Sequence, residues 1–405
     1  MKVGVLGGGQ LGRMLALAGI PLGLDFRFLD PVAGAPAGAL GELQSAGYDD
    51  PAALARFADG LDVATYEFEN VPAAAAAFLT QRVPLFPPGA ALHAAQDRVR
   101  EKELLASLGV PVPRFAAVSG PVDLDAALSR VGLPAVLKTR TMGYDGKGQA
   151  VIRTPSEARE AVGRLAAEHR LAAARAAPSS AGEGALPTPV SGLILEELVP
   201  FVRELSLISV GAREGIVAHY PLVENHHAGG MLRTTRAPAP GLDPRLQARA
   251  ERHAAAVLES LGYVGVLAIE FFEVAGAGGP ELLANELAPR VHNSGHWTIE
   301  GAATSQFENH LRAILGWPLG PCDALGPSLM FNLVGSVPDL PALLAVPGAA
   351  VHLYGKTPRP GRKLGHVTVR AAGVGAAGEA GERGLVRQAG HIAELIARAT
   401  AAGPG

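Results

Sequence analysis

Short apolar runs alternate with helical patterns along the N-terminal part of the chain. Residues 3–6, 26–29 and 63–66 have the length and composition of buried strands. Helical patterns begin at Leu11 and again, rich in alanine, after Pro72. Strands that alternate with helices in this way predict a parallel α/β unit.

The pattern changes in the middle of the chain. The charged amphipathic segment 96–108 predicts a helix that ends at Gly109. Apolar runs at 135–137 and 193–195 predict strands. Between them, residues 168–191 become rich in Ala, Gly, Pro and Ser, which we interpret as a mobile surface insertion.

The last third of the chain carries a predicted hairpin with one acidic residue on each strand. Glu270 and Glu286 are equally far from Gly278, so they should be cross-strand neighbours with about 5 Å between their Cβ atoms. Like charges in that arrangement destabilise a sheet unless a cation lies between them. Asn285 adds an oxygen ligand of the kind that magnesium accepts. We predict a magnesium site here, although both glutamates could also be solvated at the strand ends.

A glycine-rich segment predicts a phosphate site. Lys138 directly follows the predicted strand at 135–137. Residues 143–148 contain three glycines, and Lys147 lies at the tip of this predicted loop. Glycine leaves the backbone free to fold over an anion, and lysine supplies the charge. A helix from Ser305 to residue 315 and a β-rich segment from Met330 follow the hairpin.

Composition restricts the class of protein. The chain has 405 residues, of which 48% are hydrophobic, enough for two or three domains with large cores. A net charge of −3 without a dense Lys/Arg stripe argues against a nucleic-acid partner. Cys322 is the single cysteine, and the chain opens on a strand pattern, so we expect a cytoplasmic protein. No apolar run approaches the roughly 20 residues that span a bilayer, so no membrane partner is expected.

Five motifs together resemble the ATP-grasp ligases, and among them the 5-(carboxyamino)imidazole ribonucleotide synthetases of purine biosynthesis. They are residues 7–14, 66–72, 143–148, 285–297 and 359–366. The resemblance spans nearly the whole chain. It implies an α/β and α+β architecture with a Rossmann-like N-terminal domain (1–98), an ATP-grasp domain with a mobile lid (99–325) and a small β-rich C-terminal domain (326–405).

The resemblance also implies an activity. Members of this family carboxylate the exocyclic amine of 5-aminoimidazole ribonucleotide with bicarbonate and ATP, so ADP and phosphate are released and carboxyphosphate is the expected intermediate. The expected ligands are therefore ATP, Mg²⁺, bicarbonate and the ribonucleotide. A homodimer is the expected assembly.

By the same resemblance, site residues can be assigned to each ligand. The expected ATP-binding residues are Arg98, Lys138, Gly143, Tyr144, Asp145, Gly146, Lys147, Gly148, Gln149, Glu196, Glu197, Leu198, Val199, Glu204, His227, Asn285 and Glu286. The ribonucleotide is expected at Gln10, Leu11, Glu67, Glu69, Tyr144, Asp145, Lys356, Arg359 and Arg362. Expected catalytic residues are Arg290, His292, Asn293 and Lys356, and expected metal ligands are Glu270 and Glu286.

Two other readings of the motifs are less favoured. Gly7, Gly9 and Gly12, with Asp30 closing the next strand, match a dinucleotide-binding fingerprint. A dehydrogenase would not need the second glycine-rich segment at 143–148 or the hairpin that carries Glu270 and Glu286. Asp30 is therefore interpreted as a surface or turn residue. A zinc site at His226 and His227 has no third ligand at suitable spacing.

Two further functions stay open as alternatives. The formate-dependent glycinamide ribonucleotide transformylase shares the glycine-rich opening and a basic C-terminal loop, but the segments 143–146 and 293–297 favour the carboxylating enzyme. A non-catalytic nucleotide-binding regulator would be expected to lack Glu270, Glu286 or Lys138, and all three are present.

Overall fold

The computed structural model describes residues 1–143, 148–176, 192–371 and 379–402. The strands are β1 Lys2–Leu6, β2 Asp25–Asp30, β3 Glu42–Ser45, β4 Val63–Tyr66, β5 Phe115–Val118, β6 Ala135–Thr139, β7 Gln149–Ile152, β8 Leu193–Glu197, β9 Arg203–Gly211, β10 Val217–His219, β11 Val223–Ala228, β12 Met231–Ala237, β13 Gly265–Gly276, β14 Gly279–Ala288, β15 Ser328–Val334, β16 Ala349–Leu353 and β17 Lys363–Arg370. The helices are α1 Gln10–Gly19, α2 Pro51–Ala58, α3 Ala73–Thr80, α4 Gly89–Ala95, α5 Arg98–Ser107, α6 Pro121–Val131, α7 Pro155–Ala176, α8 Pro244–Ser260, α9 Thr298–Gly301, α10 Gln306–Leu315, α11 Leu340–Leu344 and α12 Glu379–Ala402.

The N-terminal strands form a parallel sheet in the order β3-β2-β1-β4, which confirms the predicted α/β unit. Every residue of β4 is buried, as expected for a strand covered on both faces. Helices α2 and α3 pack on one face through Leu54, Phe57 and Leu79. Because the strands are parallel, the loops after β1 and β4 lie side by side at one edge of the sheet.

A larger antiparallel sheet forms the centre of the molecule. Its strand order is β14-β13-β9-β11-β12-β15-β17-β16, and β10 pairs with β9. The C-terminal strands join this sheet because β15 pairs with β12. The β-rich C-terminal segment therefore extends the central sheet, and α12 packs on it through residues such as Leu385 and Ile392.

A smaller antiparallel sheet has the order β5-β8-β6-β7 and is covered by α6 and α7. The predicted insertion at 168–191 is only partly correct. Residues 168–176 continue α7, since this stretch is rich in alanine, the residue with the highest helix propensity. Residues 177–191 lie outside the described part of the chain.

The N-terminal sheet and the central sheet are joined through α10. His310 on this helix is buried; its Nε2 lies 2.9 Å from Thr65 Oγ1, and its Nδ1 accepts the Val266 N–H at 3.1 Å. Burial lowers the pKa of His310 to about 3, so the ring stays neutral and can accept that hydrogen bond. Among the described helices, none combines the length and the apolar character needed to cross a bilayer.

Candidate active site

A cavity of about 700 Å³ lies where the three sheets meet. Its walls come from the loops after β1 and β4, from the small sheet, from β13 and β14, and from the segment before β17. Small-molecule sites usually have volumes of about 300–1,000 Å³. The predicted site residues that line it are Gln10, Leu11, Glu67, Glu69, Arg98, Lys138, Gly143, Gln149, Leu198, Glu204, His227, Glu270, Asn285, Glu286, Arg290, His292, Asn293 and Lys356.

Glu270 and Glu286 are cross-strand partners on β13 and β14, which confirms the predicted pairing. The prediction assumed a hairpin centred on Gly278, and that assumption is wrong. The hairpin is centred on residues 277–278 and not on Gly278, so a regular ladder would place Glu270 opposite Asn285. A β-bulge at Asn285 shifts the register by one residue and brings Glu286 opposite Glu270.

The acidic pair fits a hard divalent cation. Burial and the nearby Glu286 carboxylate raise the pKa of Glu270 to about 7, because two carboxylates so close together repel each other. Asn285 Oδ1 is buried and has no hydrogen-bond partner among the described residues. No cluster of three or more His, Cys, Asp or Glu side chains suited to a metal occurs in the described ranges. Substrate phosphates and water would have to complete the coordination shell, which is how Mg²⁺ is usually bound.

Cationic side chains lie beside the acidic pair. Arg98 Nη2 is 3.6 Å from Glu286 Oε2, and Lys138 Nζ donates to Glu196 Oε2 at 3.0 Å. Burial alone would raise the pKa of Glu196, but Lys102 and Lys138 lower it to about 2. Glu196 is therefore a fixed anion behind the cavity wall that holds the Lys138 ammonium in place. The arrangement can bind a polyphosphate.

An apolar slot adjoins these charges. Phe201 and Phe272 stack there with ring centroids 4.8 Å apart and an angle of 11° between the rings. The other apolar lining residues of the slot are Val136, Val151 and Leu198. A flat apolar surface suits a purine base. Neither phenylalanine was predicted as a site residue, since aromatic residues within or beside a strand are also typical of a core.

A carboxylate–imidazole pair on β9 and β11 also lines the cavity. His227 Nδ1 lies 2.8 Å from Glu204 Oε2. Burial alone would lower the pKa of His227, but the hydrogen bond with Glu204 and the charges of Glu270 and Glu204 raise it. A carboxylate in this position can accept hydrogen bonds from hydroxyl groups, and the ATP contact expected of Glu204 stays a prediction.

The segment 196–199 contributes less to the cavity than the sequence suggests. The N–H groups of Glu197 and Leu198 donate to the carbonyl oxygens of Arg114 and Pro134 at 2.9 and 3.2 Å. The Glu197 side chain pairs with Arg114 at 3.0 Å. Of these four residues only Leu198 lines the cavity, so the expected ATP contacts of Glu196, Glu197 and Val199 stay a prediction.

A small polar recess follows β14. Arg290 Nε donates to Glu69 Oε2 at 2.5 Å, and His292 Nε2 lies 3.5 Å from Glu270 Oε1. Burial and the Arg290 guanidinium hold the pKa of His292 well below its usual range, so the ring is neutral. Asn293 has both side-chain amide atoms buried without a partner among the described residues. Unpaired buried amide groups beside an arginine fit a small planar anion.

The recess is held in shape by Gln306 at the start of α10. Its Oε1 accepts the His292 N–H at 3.0 Å, and its Nε2 donates to the His292 carbonyl at 2.6 Å. His292 Nδ1 lies 2.8 Å from Ser294 Oγ, which fixes the ring so that Nε2 is directed to Glu270. The expected catalytic residues His292 and Asn293 therefore lie on a rigid loop.

Only part of the predicted basic cluster in the C-terminal loop lines the cavity. Lys356 Nζ donates to Gln10 Oε1 at 2.6 Å, and Lys363 also lines the cavity. Arg359 and Arg362 are not lining residues, and Arg362 Nη1 donates to the Thr357 carbonyl at 3.1 Å. Burial, with the nearby cations, lowers the pKa of Lys356 to about 8 although Glu67 opposes the shift.

The N-terminal glycine loop is filled by the protein's own carboxylates. Glu67 accepts hydrogen bonds from the N–H groups of Gly9 and Gly12, and Asp30 Oδ2 accepts the Gly8 N–H at 2.8 Å. The interpretation of Asp30 as a turn residue is confirmed, since its Oδ1 accepts the Val32 N–H at 2.8 Å, but its other carboxylate oxygen has an additional role in the glycine loop that was not predicted. A Cβ atom on Gly9 would lie 2.5 Å from Glu67 Oε1, so a larger residue there would displace the Glu67 carboxylate. With these donors occupied, the loop does not present the free N–H groups that a dinucleotide pyrophosphate needs.

The predicted lid lies partly outside the described residues, which do not include Tyr144, Asp145, Gly146 and Lys147. Gly148, at its end, has a φ of +71°, and its carbonyl accepts the Thr139 N–H at 2.8 Å. Gly143 lines the cavity, and its carbonyl accepts from Arg98 Nη2 at 3.4 Å.

Three protein-family models match the chain. An ATP-grasp domain matches residues 103–307, a ribonucleotide synthetase preATP-grasp domain matches residues 1–96, and a phosphoribosylaminoimidazole carboxylase C-terminal domain matches residues 328–379. A curated relative from Pseudomonas aeruginosa, named N5-carboxyaminoimidazole ribonucleotide synthase, is 50% identical over 92% of this chain and 95% of its own.

Solved structures agree with these matches. The N5-carboxyaminoimidazole ribonucleotide synthetase of Thermus thermophilus has a TM-score of 0.85 and 53% identity over 97% of this chain and 98% of its own. An Aspergillus clavatus N5-carboxyaminoimidazole synthase in complex with ADP and 5-aminoimidazole ribonucleotide has a TM-score of 0.81 and 29% identity over 98% of both chains. The chain thus belongs to the N5-carboxyaminoimidazole ribonucleotide synthase family of ATP-grasp enzymes.

Proposed function

We propose that the protein carboxylates 5-aminoimidazole ribonucleotide with bicarbonate and ATP and releases ADP and phosphate. The observation that carries this proposal is the cavity itself. It joins the apolar slot, the Glu270–Glu286 pair and the recess at 290–293 in one continuous space. The Aspergillus relative with ADP and 5-aminoimidazole ribonucleotide bound supports the same pairing of ligands.

The charges and shapes of the walls suggest where each substrate binds. ATP would place its base in the slot at Phe272, its ribose near Glu204 and its phosphates near Lys138. Bicarbonate would occupy the recess between Arg290 and Asn293, where unpaired amide atoms are buried. The ribonucleotide would take the remaining end of the cavity, which is lined by residues including Gln10, Glu69, Lys356 and Lys363.

The chemistry follows from the poor reactivity of bicarbonate. A bicarbonate oxygen attacks the γ-phosphorus of ATP, ADP leaves, and carboxyphosphate forms. The exocyclic amine of the ribonucleotide then attacks the carboxyl carbon, phosphate leaves, and the amine proton is transferred to the departing phosphate. Arg290 and the Asn293 amide hold the carboxyl oxygens, while Arg98 and Lys138 neutralise charge on the phosphates.

Magnesium is the metal that best fits the acidic pair. Glu270 and Glu286 would hold it, with Asn285 Oδ1 as a further oxygen ligand. When bound, Mg²⁺ supplies charge neutralisation to the β- and γ-phosphates.

The family resemblance supports three further expectations. One is a division into domains at 1–98, 99–325 and 326–405, close to the ranges that the three family models match. The others are a homodimeric assembly and a cytoplasmic location.

Phosphate release measured with all combinations of substrates tests the proposed function. We expect ATP to release phosphate rapidly only when bicarbonate and 5-aminoimidazole ribonucleotide are both present. Formate with glycinamide ribonucleotide is the matched control, since the alternative transformylase would use that pair. Turnover with the control pair, and none with the first, would contradict the proposal.

A further inference from the structure

The bulge at Asn285 decides which side chains face the cavity. In a regular strand, neighbouring side chains point to opposite faces of the sheet. Asn285 and Glu286 are consecutive, yet both line the cavity, while Ala284 and Leu287 both pack in the core on the other face. The extra residue therefore shifts the alternation by one position and makes two consecutive oxygen-bearing side chains available to one ligand.

A bulge on this strand needs support, because β14 lies at the edge of the central sheet. An edge strand has one row of backbone groups without a strand partner, and a bulge disrupts the ladder on its other side. Unpaired backbone groups in a buried position cost stability. Near the bulge of β14 such groups are paired with side chains of α5, and the Ala284 N–H donates to the carbonyl of Pro111, in the segment after α5, at 2.7 Å.

Two consecutive charged residues of α5 supply this pairing. Lys102 Nζ donates to the carbonyl oxygens of Ala284 and Asn285 at 3.2 and 2.7 Å. Glu101 Oε1 accepts the Leu287 N–H at 2.5 Å. The two side chains therefore contact the backbone on both sides of Glu286.

Both side chains are 1% exposed, which is rare for a lysine and a glutamate. The other two buried residues of α5 are the apolar Val99 and Leu105. Lys102 Nζ also lies 3.6 Å from Glu196 Oε2, the carboxylate that holds Lys138. One ammonium group thus contacts the bulge and the anion behind the phosphate-binding lysine.

We propose that Glu101 and Lys102 are positioning residues that hold the Asn285 bulge in the shape that directs Asn285 and Glu286 to the metal–nucleotide ligand. The inference rests on the proposed function, because it takes Mg²⁺ with a nucleoside diphosphate or triphosphate as that ligand. Neither side chain lines the cavity. Glu101 acts through the backbone of β14, and Lys102 acts through that backbone and through Glu196.

Calorimetric titration with ADP, with and without Mg²⁺, tests this inference on the whole protein. For Lys102→Met and Glu101→Leu we expect about 10- to 100-fold weaker binding of Mg²⁺·ADP, the usual loss when a residue that orients a metal ligand is removed. Binding of 5-aminoimidazole ribonucleotide should stay close to that of the unsubstituted protein in both variants. Binding of metal-free ADP should stay unchanged in Glu101→Leu, because only Lys102 also contacts the Glu196 carboxylate that holds Lys138. Glu101→Gln should retain Mg²⁺·ADP binding, because the amide oxygen can accept the same Leu287 hydrogen bond.

Glu273→Gln is the matched control. Glu273 is a buried carboxylate on the same hairpin that pairs with Arg203 at 2.6 Å and does not line the cavity. Its substitution should lower the melting temperature without changing the effect of Mg²⁺ on ADP binding. If Lys102→Met does not fold, the inference is tested by comparing the effect of Mg²⁺ on ADP binding in Glu101→Leu and in Glu101→Gln.

The outcomes separate this inference from the proposed function. Lower melting temperatures with an unchanged Mg²⁺ effect in both Lys102→Met and Glu101→Leu would overturn the positioning role and leave only a structural one. If the unsubstituted protein bound no Mg²⁺·ADP, the proposed function would fail first. Selective loss of the Mg²⁺ effect in the two variants, retained in Glu101→Gln, is the result that supports the inference.

Discussion

Glu286→Gln is expected to lower the turnover number by about 100- to 1,000-fold while the fold is retained. Glutamine has nearly the same shape, so the substitution removes the negative charge and little else. Losing one preorganised electrostatic contact to a reacting group commonly has an effect of this size. Steady-state turnover at saturating Mg²⁺·ATP, with circular dichroism as the check on folding, measures it.

The control for this variant is Glu281→Gln on the same strand. Glu281 is exposed and does not line the cavity, so the turnover number of Glu281→Gln should match that of the unsubstituted protein. Normal turnover in Glu286→Gln would show that the acidic pair does not hold the metal, even though Glu270 and Glu286 are cross-strand partners.

Lys356→Met is expected to raise the Michaelis constant for the ribonucleotide by about 10- to 150-fold. The expected partner of the ammonium is the substrate phosphate, and a hydrogen bond between charged groups contributes about 1.5–3 kcal/mol. The Michaelis constant for ATP should change little, because Lys356 contacts Gln10 at the end of the cavity away from the proposed ATP site. Initial rates at varied ribonucleotide and saturating ATP measure the effect.

The pKa of Lys356 gives this prediction a pH dependence. Burial lowers that pKa to about 8, so the side chain is cationic below about pH 8 and loses its charge above it. In the unsubstituted protein the Michaelis constant for the ribonucleotide should therefore rise between about pH 7 and pH 9. The rise should be absent in Lys356→Met and present in Lys2→Met, since Lys2 pairs with Glu42 away from the cavity. Identical pH profiles for Lys356→Met and the unsubstituted protein would exclude this role.

Runs of apolar residues predicted the strands well, because a buried strand is built from consecutive apolar residues. The apolar run at 63–66 coincides with β4, and the run at 135–137 lies within β6. The pairing of Glu270 with Glu286 was also predicted, but the bulge that produces it was not. Nothing in the residues themselves indicates which position of a strand will be the extra one.

The functional residues that were not predicted make contacts with residues far away in sequence. Glu101 and Lys102 belong to a charged amphipathic helix, and charges on such a helix usually face solvent. Their burial depends on β14, which lies more than 180 residues away in sequence. The role of Glu67 within the glycine loop was missed for a similar reason, since 55 residues separate it from Gly12.

The central claim is that ATP activates bicarbonate by phosphorylating it within the cavity. It is tested most directly by the fate of oxygen in ¹⁸O-labelled bicarbonate during a single turnover with ATP and 5-aminoimidazole ribonucleotide. Attack of a bicarbonate oxygen on the γ-phosphorus transfers that oxygen to the released phosphate. Mass spectrometry should therefore find one ¹⁸O atom in each phosphate molecule, and phosphate that carries oxygen from water but none from bicarbonate would contradict the account.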